Sequence, residues 1–374
     1  MNKAKRLLAG IAISALGVEA AQAEYKLNLV QGVTESSHAV YGLHQYMLWV
    51  CVVIGVLVFG VMFYSILHHR KSKGAVAAHF HENTTVEIIW TVIPFLILIS
   101  IAIPATNVML DMADTTDSDM TIKVTGYQWK WRYEYLDDKI DFFSSLDAKS
   151  NAARQKDSTV DPASVAHYLL NVDNPVVIPA GKKVRFLFTA ADVIHSWWVP
   201  DFGWKKDAIP GFITDGWVKV DKPGVYRGQC TELCGRDHGF MPIVVEVKEE
   251  ADYRKWVNER KQQSSQTQQD ANKTFTKAEL MAKGEEVYKS SCAGCHQPSG
   301  EGVKGSFPAI KNSPVAKGPI AAHTKLVLEG KGMMPGFRDM LSPAEIAAVV
   351  TYQRNAFGNN VGDQLQPKDI AASR

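Results

Sequence analysis

The chain has 374 residues and a formal net charge of +2 at neutral pH. This length predicts two or three domains, and the near-neutral charge gives no bulk field that would favour nucleic acid as a partner. Five cysteines in such a chain are too few for a fold that depends on disulfide bonds.

The N-terminus is typical of a secretory signal peptide, predicted at residues 1–23. A basic segment at residues 3–6 precedes an apolar stretch at residues 7–18, and Ala21-Gln22-Ala23 is a small-residue cleavage site. The alternative is an uncleaved membrane anchor, but the apolar stretch is too short to span a bilayer.

Two long segments without charge follow within residues 24–111, at 46–67 and 88–110. Each is long enough to cross the bilayer core, so together they predict a two-helix transmembrane hairpin. Two buried core helices are the alternative, but runs of this length without a charge are rare in soluble domains. The connection is basic and the residues after the second segment are acidic. By the positive-inside rule, the N- and C-terminal portions then lie on the outer side of the membrane.

Residues 120–249 have short β-rich runs separated by glycine and proline turns. This pattern predicts an antiparallel β-sandwich or barrel. Residues 146–166 are polar and small, and we expect an inserted loop there. The strands are expected at residues 121–124, 129–135, 184–189, 216–220 and 242–247.

The remainder of the chain has a helical composition. Residues 250–273 are expected to form a helix followed by a flexible linker, because the Gln- and Ser-rich run at 262–269 has nothing to bury. Residues 274–360 predict an all-α unit with helices at 277–290 and 342–356, followed by a tail at 361–374. In the second helix, Ser342 and Glu345 have the spacing of a capping box.

Soft metal ligands are concentrated in residues 230–241, which contain Cys230, Cys234, His238 and Met241, with His195 earlier in the chain. Copper prefers sulfur and imidazole ligands, and two thiolates four residues apart can bridge two copper ions. A structural zinc site is the alternative, although the methionine and the strand-rich core argue against it. A disulfide between the cysteines would leave the histidine and the methionine unexplained.

Cys292-Ala293-Gly294-Cys295-His296 has the spacing for covalent haem attachment. Both thiols add to haem vinyl groups, and the histidine binds the iron from one side. A redox dithiol or half of a zinc site is the alternative, but residues 274–360 contain no second cysteine pair.

The other axial haem ligand is expected downstream of this motif. Met333 and Met334 lie directly before Pro335, and His323 is the fallback. A methionine opposite a histidine raises the reduction potential, which suits an electron donor.

The soft-ligand loop resembles the dinuclear copper centre, CuA, of subunit II of haem-copper cytochrome c oxidases. The pattern of that family, Cys-x-Glu-x-Cys-x-x-x-His-x-x-Met, is present in full, and the resemblance covers residues 36–249. It implies a cupredoxin-like domain in which Cys230 and Cys234 bridge the coppers while His195 and His238 each bind one ion.

The same resemblance implies weak axial ligands from Met241 and from the backbone carbonyl of Glu232. The Glu232 carboxylate would also help to bind a magnesium ion shared with subunit I. Trp129 is similar in position to the tryptophan through which electrons enter near the copper, although it also fits a β-sheet core. Glu87 matches the glutamate at the mouth of a proton channel into subunit I, although it also fits an ordinary carboxylate at the membrane surface.

Residues 274–360 resemble class I cytochromes c, in which the ligand methionine commonly precedes a proline. This favours Met334 over Met333 as the axial ligand. Together the motifs resemble subunit II of caa3-type oxidases, which carries a fused cytochrome c. The expected fold is therefore a multidomain membrane protein with a transmembrane hairpin, a cupredoxin-like domain and an all-α cytochrome c domain.

This resemblance implies the electron-input subunit of a proton-translocating respiratory oxidase in the bacterial inner membrane. Electrons would pass from a soluble periplasmic cytochrome c or similar donor to haem c, then to CuA, and then to subunit I for the reduction of oxygen. Subunit III and membrane lipid are further expected partners. An electron-input subunit of a CuA-containing nitric oxide reductase is an alternative. A membrane protein for copper delivery or sensing is another, against which the haem motif argues.

Overall fold

The computed structural model describes residues 28–79, 81–155, 158–332, 334–338 and 340–372. The expected signal peptide and Met333 lie outside the described residues. The chain divides into two compact units, the first containing Ser36–Met109 and the second containing Leu110–Arg374. Each unit is described by itself below.

The first unit consists of two long apolar helices, α1 (Glu35–His68) and α2 (Thr84–Ala113). Both are long and apolar enough to cross a membrane, as judged by length and composition. They include the two predicted segments and extend beyond them at both ends. The hydroxyl groups of Tyr46 and Ser100 lie 2.7 Å apart and join the two helices.

The second unit begins with a β-sandwich of two five-stranded sheets, ordered β3-β2-β1-β5-β8 and β4-β10-β9-β6-β7. The pairs β1–β5 and β4–β10 are parallel, so the expectation of a wholly antiparallel arrangement is wrong. The strands are β1 (Met120–Tyr127), β2 (Lys130–Tyr135), β3 (Ile140–Ser144), β4 (Val176–Pro179), β5 (Lys183–Ala190), β6 (His195–Trp198), β7 (Lys205–Ala208), β8 (Thr214–Lys219), β9 (Gly224–Cys230) and β10 (Pro242–Lys248).

An aromatic core fills the space between the sheets. Phe186 and Phe188 are fully buried on alternate positions of β5, and Trp197 of β6 reaches them from the other sheet. The rings of Trp197 and Phe186 lie 5.3 Å apart, and the Trp197 indole donates a hydrogen bond of 3.2 Å to the hydroxyl of Tyr133. Burial of each such ring stabilises the fold by about 2–3 kcal/mol.

The inserted segment between β3 and β4 contains a short helix, α3 (Ala148–Ala153). Asp147 caps this helix by accepting hydrogen bonds from the backbone of Lys149 and Ser150. Ser150 and Ala153 are buried, so part of the expected loop is a packed helix.

After the sandwich, α4 (Glu250–Asp270) is one continuous helix of 21 residues. Tyr253 and Val257 are buried in its first half. The run at residues 262–269, expected to be a flexible linker, continues this helix. Glutamine is a good helix former, and the Ser265 hydroxyl donates to the carbonyl of Lys261 one turn earlier.

The cytochrome-like part of the second unit is helical. Its longest helices, α5 (Lys277–Ser291) and α9 (Pro343–Asn355), cross where a Cβ on Gly284 would lie 2.2 Å from the carbonyl oxygen of Ala348. Only glycine permits this approach. The remaining helices are α6 (Ala293–His296), α7 (Pro314–Lys317), α8 (Ile320–Glu329) and α10 (Pro367–Ala371).

The ends of the helical part are fixed by a helix cap and by two hydrogen bonds between Gln366 and Phe275, which are called the clasp below. The predicted capping box of Ser342 and Glu345 is confirmed. The expected tail is packed, with Leu365 and Ile370 buried. The Gln366 side chain accepts a hydrogen bond from the backbone N–H of Phe275 and donates one to its carbonyl, both at 2.9 Å. The clasp therefore joins the first and last elements of this part.

Candidate metal centre and haem-attachment segment

The soft ligands lie where two neighbouring strands of one sheet end. His195 is the first residue of β6, and Cys230 is the last residue of β9. The two strands are paired through Trp197 and Cys230. The loop from β9 to β10 then supplies Cys234 and Met241. Strand pairing therefore brings residues that are distant in sequence to one edge of the sandwich.

The distances define a compact cluster of donor atoms. The Sγ atoms of Cys230 and Cys234 lie 3.9 Å apart. The Nδ1 of His195 lies 4.0 Å from the Cys230 sulfur, and the Nδ1 of His238 lies 3.6 Å from the Cys234 sulfur. The Sδ of Met241 lies 3.6 Å from the Cys234 sulfur. Each thiol therefore has its own imidazole.

This donor set fits a centre with two bridged copper ions. The two sulfurs are adjacent, the imidazoles lie beside different sulfurs, and the Glu232 carbonyl lies 3.4 Å from the Cys230 sulfur. Both cysteines are buried, so water has little access to the donors. Soft sulfur and imidazole donors of this kind favour copper.

The two thiols differ in acidity. The pKa of Cys230 is lowered, because its sulfur accepts a hydrogen bond from Cys234 and a further one from His195, against the effect of burial. The pKa of Cys234 is raised, because this thiol is the donor in the shared hydrogen bond. One thiolate is therefore favoured before any metal binds, and the thiolate is the form that binds metals.

Asp192 orients His195 and was missed by the sequence analysis. Its Oδ1 lies 2.9 Å from Nε2 of the imidazole, which directs Nδ1 towards the Cys230 sulfur. Burial lowers the pKa of His195, but the hydrogen bonds and charges of Asp192 and Cys230 together outweigh burial, so the pKa is raised. An acidic residue three positions before the histidine was the available signal, because metal-binding histidines commonly bond a carboxylate.

The predicted electron-entry residue touches the ligand loop. The indole of Trp129 donates a hydrogen bond of 3.2 Å to the carbonyl of Cys234, and the Gln128 amide donates one of 2.9 Å to the same oxygen. A Cβ on Gly235 would lie 3.1 Å from the Trp129 ring. Trp129 therefore supports the loop directly.

The two acidic residues singled out in the sequence, Glu232 and Glu87, have few contacts of their own to describe. The Glu232 side chain is exposed. Glu87 lies in the first turn of α2, and its carboxylate lies 3.4 Å from the backbone nitrogen of Asn83. A carboxylate in a first turn is favoured by the helix dipole, so this contact does not distinguish the two interpretations of Glu87.

The haem-attachment motif lies at the junction of α5 and α6. Cys292 is buried and Cys295 is half-buried. The Nδ1 of His296 lies 2.8 Å from the carbonyl oxygen of Pro308, which holds the ring and leaves Nε2 available for iron. Ligating histidines typically bond a carbonyl in this way. The motif therefore fits a covalently attached haem.

The candidates for the other axial haem ligand, Met334 and His323, lie in different surroundings. Met334 lies beside the apolar cluster that contains Phe337, whereas Cys292 belongs to a neighbouring cluster. His323 is buried, its Nε2 lies 2.9 Å from the Gln353 side chain, and burial lowers its pKa to about 4. His323 is therefore neutral and already hydrogen-bonded at one ring nitrogen.

Comparison with known families gives matches along most of the chain. Residues 22–108 match the family described as cytochrome c oxidase subunit II, transmembrane domain, and residues 120–248 match the periplasmic domain of the same subunit. Residues 279–352 match the family described as cytochrome c oxidase, cbb3-type, subunit III. The transmembrane match and the two apolar helices indicate an inner-membrane protein with periplasmic domains.

Individual relatives agree with these matches. The chain is 42% identical over 215 residues to a probable cytochrome c oxidase subunit 2 of Rickettsia felis, covering 57% of this chain and 65% of the relative. It thus spans slightly less than two thirds of that protein.

A probable cytochrome c oxidase subunit 2 of Rickettsia bellii is 42% identical over 214 residues, with 57% of this chain and 76% of the relative covered. The solved periplasmic domain of subunit II from Bradyrhizobium japonicum is 41% identical, with 40% of this chain and 99% of the domain covered and a TM-score of 0.34. The chain belongs to the cytochrome c oxidase subunit II family and carries a cytochrome c unit fused at its C-terminal end.

Proposed function

We propose that this chain is the electron-input subunit of a respiratory cytochrome c oxidase, with a CuA centre and one covalent haem c. The observation that carries the proposal is the pair of buried thiols 3.9 Å apart, each beside its own imidazole. The same compact unit holds a Cys-x-x-Cys-His motif. A chain with both features is suited to moving single electrons between them.

In this proposal electrons enter from a soluble periplasmic cytochrome c or similar donor. They pass from the haem of the helical, cytochrome-like part to the copper centre of the β-sandwich, and then to subunit I, where oxygen is reduced to water. Subunit III and membrane lipid are further partners, and α1 and α2 both cross the bilayer. Bound copper and haem would supply reversible one-electron exchange.

The chain's own residues keep the copper site rigid and dry. Cys230 and Cys234 would bridge the coppers, and His195 and His238 would each bind one of them. A shared pair of thiolates would let bound copper change its charge with little rearrangement of these residues, which would lower the reorganisation energy of transfer. Asp192 orients one imidazole, and the burial of His195, Cys230, Cys234 and Met241 keeps water from these four donors.

Further residues have proposed roles near this centre. Met241 and the Glu232 carbonyl would be weak axial ligands, and Trp129 would carry electrons into the site. The exposed Glu232 carboxylate would contribute to a magnesium site shared with subunit I. Glu87 would stand at the entrance of a proton channel in subunit I.

On the haem side, Cys292 and Cys295 would hold the group covalently, and His296 would bind the iron through Nε2. The Pro308 carbonyl supports this role by fixing the ring through Nδ1. Met334 is the proposed opposite ligand.

Two other functions share part of this arrangement. The electron-input subunit of a nitric oxide reductase would use the same ligands, so the catalytic partner decides between the two. A copper-delivery or copper-sensing protein would bind one labile ion and has no use for a haem. The burial of Cys230, Cys234, His195 and Met241 argues against labile binding.

The test is the metal and haem content of the full chain, purified from membranes of a host that matures cytochromes c. Two coppers and one covalent haem per chain are expected, and one copper or one zinc would overturn the dinuclear centre. The complex that co-purifies with the chain is expected to consume oxygen. Consumption of nitric oxide alone would favour the reductase.

A further inference from the structure

One arginine of the inserted segment contacts both the loop with the proposed copper ligands, residues 230–241, and the haem-attachment motif, residues 292–296. The first of these is called the copper-ligand loop below. Arg154 follows α3, and its Nη2 lies 3.2 Å from Oδ2 of Asp237, beside the ligand His238. A Cβ placed on Gly294, between the two haem-attachment cysteines, would lie 3.3 Å from the same Nη2. One guanidinium therefore contacts both segments.

Two more cations of the β-sandwich face aromatic rings of the cytochrome unit. The guanidinium of Arg236 lies 4.4 Å from the centre of the Phe307 ring. The Nζ of Lys130 lies 5.5 Å from the centre of the Phe337 ring. Arg236 is in the copper-ligand loop, and Phe307 directly precedes the proline whose carbonyl holds His296. Each of these two cation–ring pairs therefore joins a residue near the proposed copper ligands to a residue of the haem-binding part of the chain.

The ion pair between Arg154 and Asp237 is sheltered from water. The side chains of Arg154 and Asp237 are only 14% and 11% exposed, so their ion pair is screened less than a surface pair. The Arg154 guanidinium also lies 4.2 Å from the centre of the Phe240 ring, which fixes its plane. The Lys130 amine lies between the Phe337 ring and the Phe143 ring of the sandwich, 5.3 Å from the centre of the latter, and burial lowers its pKa to about 8.

Other arginines of the sandwich are paired within the sandwich itself. Arg132 bonds Asp141, and Arg185 bonds Asp215. Arg154 and Arg236 differ because their planar groups reach the cytochrome unit. A cation over an aromatic ring contributes about 0.5–2 kcal/mol. Such weak contacts suffice here, because the covalent connection holds the two units at high local concentration.

We propose that Arg154, Arg236 and Lys130 form a docking surface that holds the cytochrome unit with its haem-attachment motif against the copper-ligand loop. Arg154 is the positioning residue at its centre. This inference rests on the proposed function and deepens it, since it assigns the residues that set the distance for electron transfer within the chain.

The first experiment measures docking without reference to electron transfer. Hydrogen–deuterium exchange of the full, cofactor-loaded chain is compared with that of Arg236→Ala and of Phe307→Leu, which keeps apolar bulk but removes the ring. Each variant is expected to raise exchange at residues 303–308 about tenfold. The double variant is expected to raise it little further, because both changes remove one contact. Arg185→Ala is the matched control and should match the unaltered chain.

The second experiment measures haem-to-copper transfer after flash photolysis in the same proteins and in Arg154→Ala. Transfer is expected to slow at least tenfold in Arg154→Ala, Arg236→Ala and Phe307→Leu and to stay unchanged in Arg185→Ala, with the copper and haem absorption spectra unchanged throughout. Unaltered exchange in the variants would overturn the docking surface. Raised exchange with an unaltered transfer rate would overturn its positioning role. Absence of copper or haem from the unaltered chain would instead contradict the proposed function, which keeps the two failures distinct.

Discussion

The imidazole of His195 is held from behind by Asp192, whose Oδ1 lies 2.9 Å from Nε2. Asp192 also accepts a hydrogen bond of 2.7 Å from the backbone of Gln128, which precedes Trp129, the tryptophan that donates a hydrogen bond to the copper-ligand loop. A single carboxylate therefore fixes both a proposed metal ligand and a neighbouring strand end.

The variant Asp192→Asn is expected to weaken copper binding about 10- to 100-fold, because outer partners of ligating histidines typically contribute this much. Competition against a chelator of known copper affinity measures the change. Asp141→Asn, which removes an acidic group paired with Arg132, is the control. Equal copper affinity of the two variants would contradict the orienting role.

Gly126 gives His195 the space that it occupies. A Cβ at this position would lie 2.7 Å from Cδ2 of the imidazole, and His195 is fully buried. Gly126→Ala is expected to lower the free energy of unfolding by about 1–3 kcal/mol through overpacking, and to weaken copper binding. Chemical denaturation followed by tryptophan fluorescence, with a copper titration, measures both.

Gly216→Ala is the control for this variant. The added Cβ would meet the flexible end of Lys206 at 3.3 Å, so little change is expected. A Gly126 variant as stable as this control would show that the ring can move aside.

The thiols and the thioether are expected to differ in their effect on copper. Cys230→Ser removes one of the two sulfurs proposed to bridge the coppers and is expected to abolish the dinuclear centre. Met241→Leu removes only a weak axial donor, so copper should stay bound with a changed potential and transfer rate. Copper content, absorption spectra and redox titration separate the two outcomes. A normal dinuclear spectrum in the cysteine variant would exclude bridging.

The exposed second half of α4 is expected to set how far the cytochrome unit can extend from the β-sandwich. Deletion of residues 262–268 removes about two helical turns, or roughly 10 Å, and is expected to slow haem-to-copper transfer while both cofactor spectra stay normal. A Gly/Ser segment of equal length is the control and should retain most of the rate, because its reach is similar. Transfer at the normal rate in the deletion variant would contradict this expectation.

Acid is expected to destabilise the cytochrome unit through Asp363. Its pKa is lowered because Arg354 donates hydrogen bonds to its carboxylate. A carboxyl whose pKa is lower in the folded than in the unfolded state stabilises the fold above its ordinary value of 3.8. This stabilisation is lost as the pH falls through the folded-state pKa.

Asp363→Asn should therefore reduce stability at pH 6 and flatten its decline between pH 5 and 2.5. The expected loss is about 1 kcal/mol or less, since the carboxylate is partly exposed and screened. Thermal unfolding followed at the haem absorption band measures it. Glu301→Gln, at an exposed pair with Lys311, should have little effect. An unaltered pH profile in Asp363→Asn would contradict the assignment.

Local patterns predicted much of the secondary structure. The absence of charge identified α1 and α2, and the spacing of Ser342 and Glu345 marked the start of α9. Short strands such as β6 and β7 were missed because four residues carry too little alternation. The ligand loop was recognisable because its donor residues are rare and closely spaced in sequence.

Features that depend on distant contacts were not predictable from local patterns. Residues 262–269 lack apolar side chains, which favoured a linker, but helix propensity continues α4 through them. Arg154 lies in a polar insertion and has no neighbouring motif, so nothing in the sequence indicated its contact with Gly294. Such a contact appears only when the fold brings the two segments together.

The clasp between Gln366 and Phe275 has a consequence for the ancestry of the chain. Because the first and last elements of the cytochrome unit are hydrogen-bonded to each other there, the two ends of its fold lie close together. A domain whose ends meet can be gained or lost by recombination without unthreading either structure. The helix α4 is then the place where such an exchange would join the cytochrome unit to the β-sandwich.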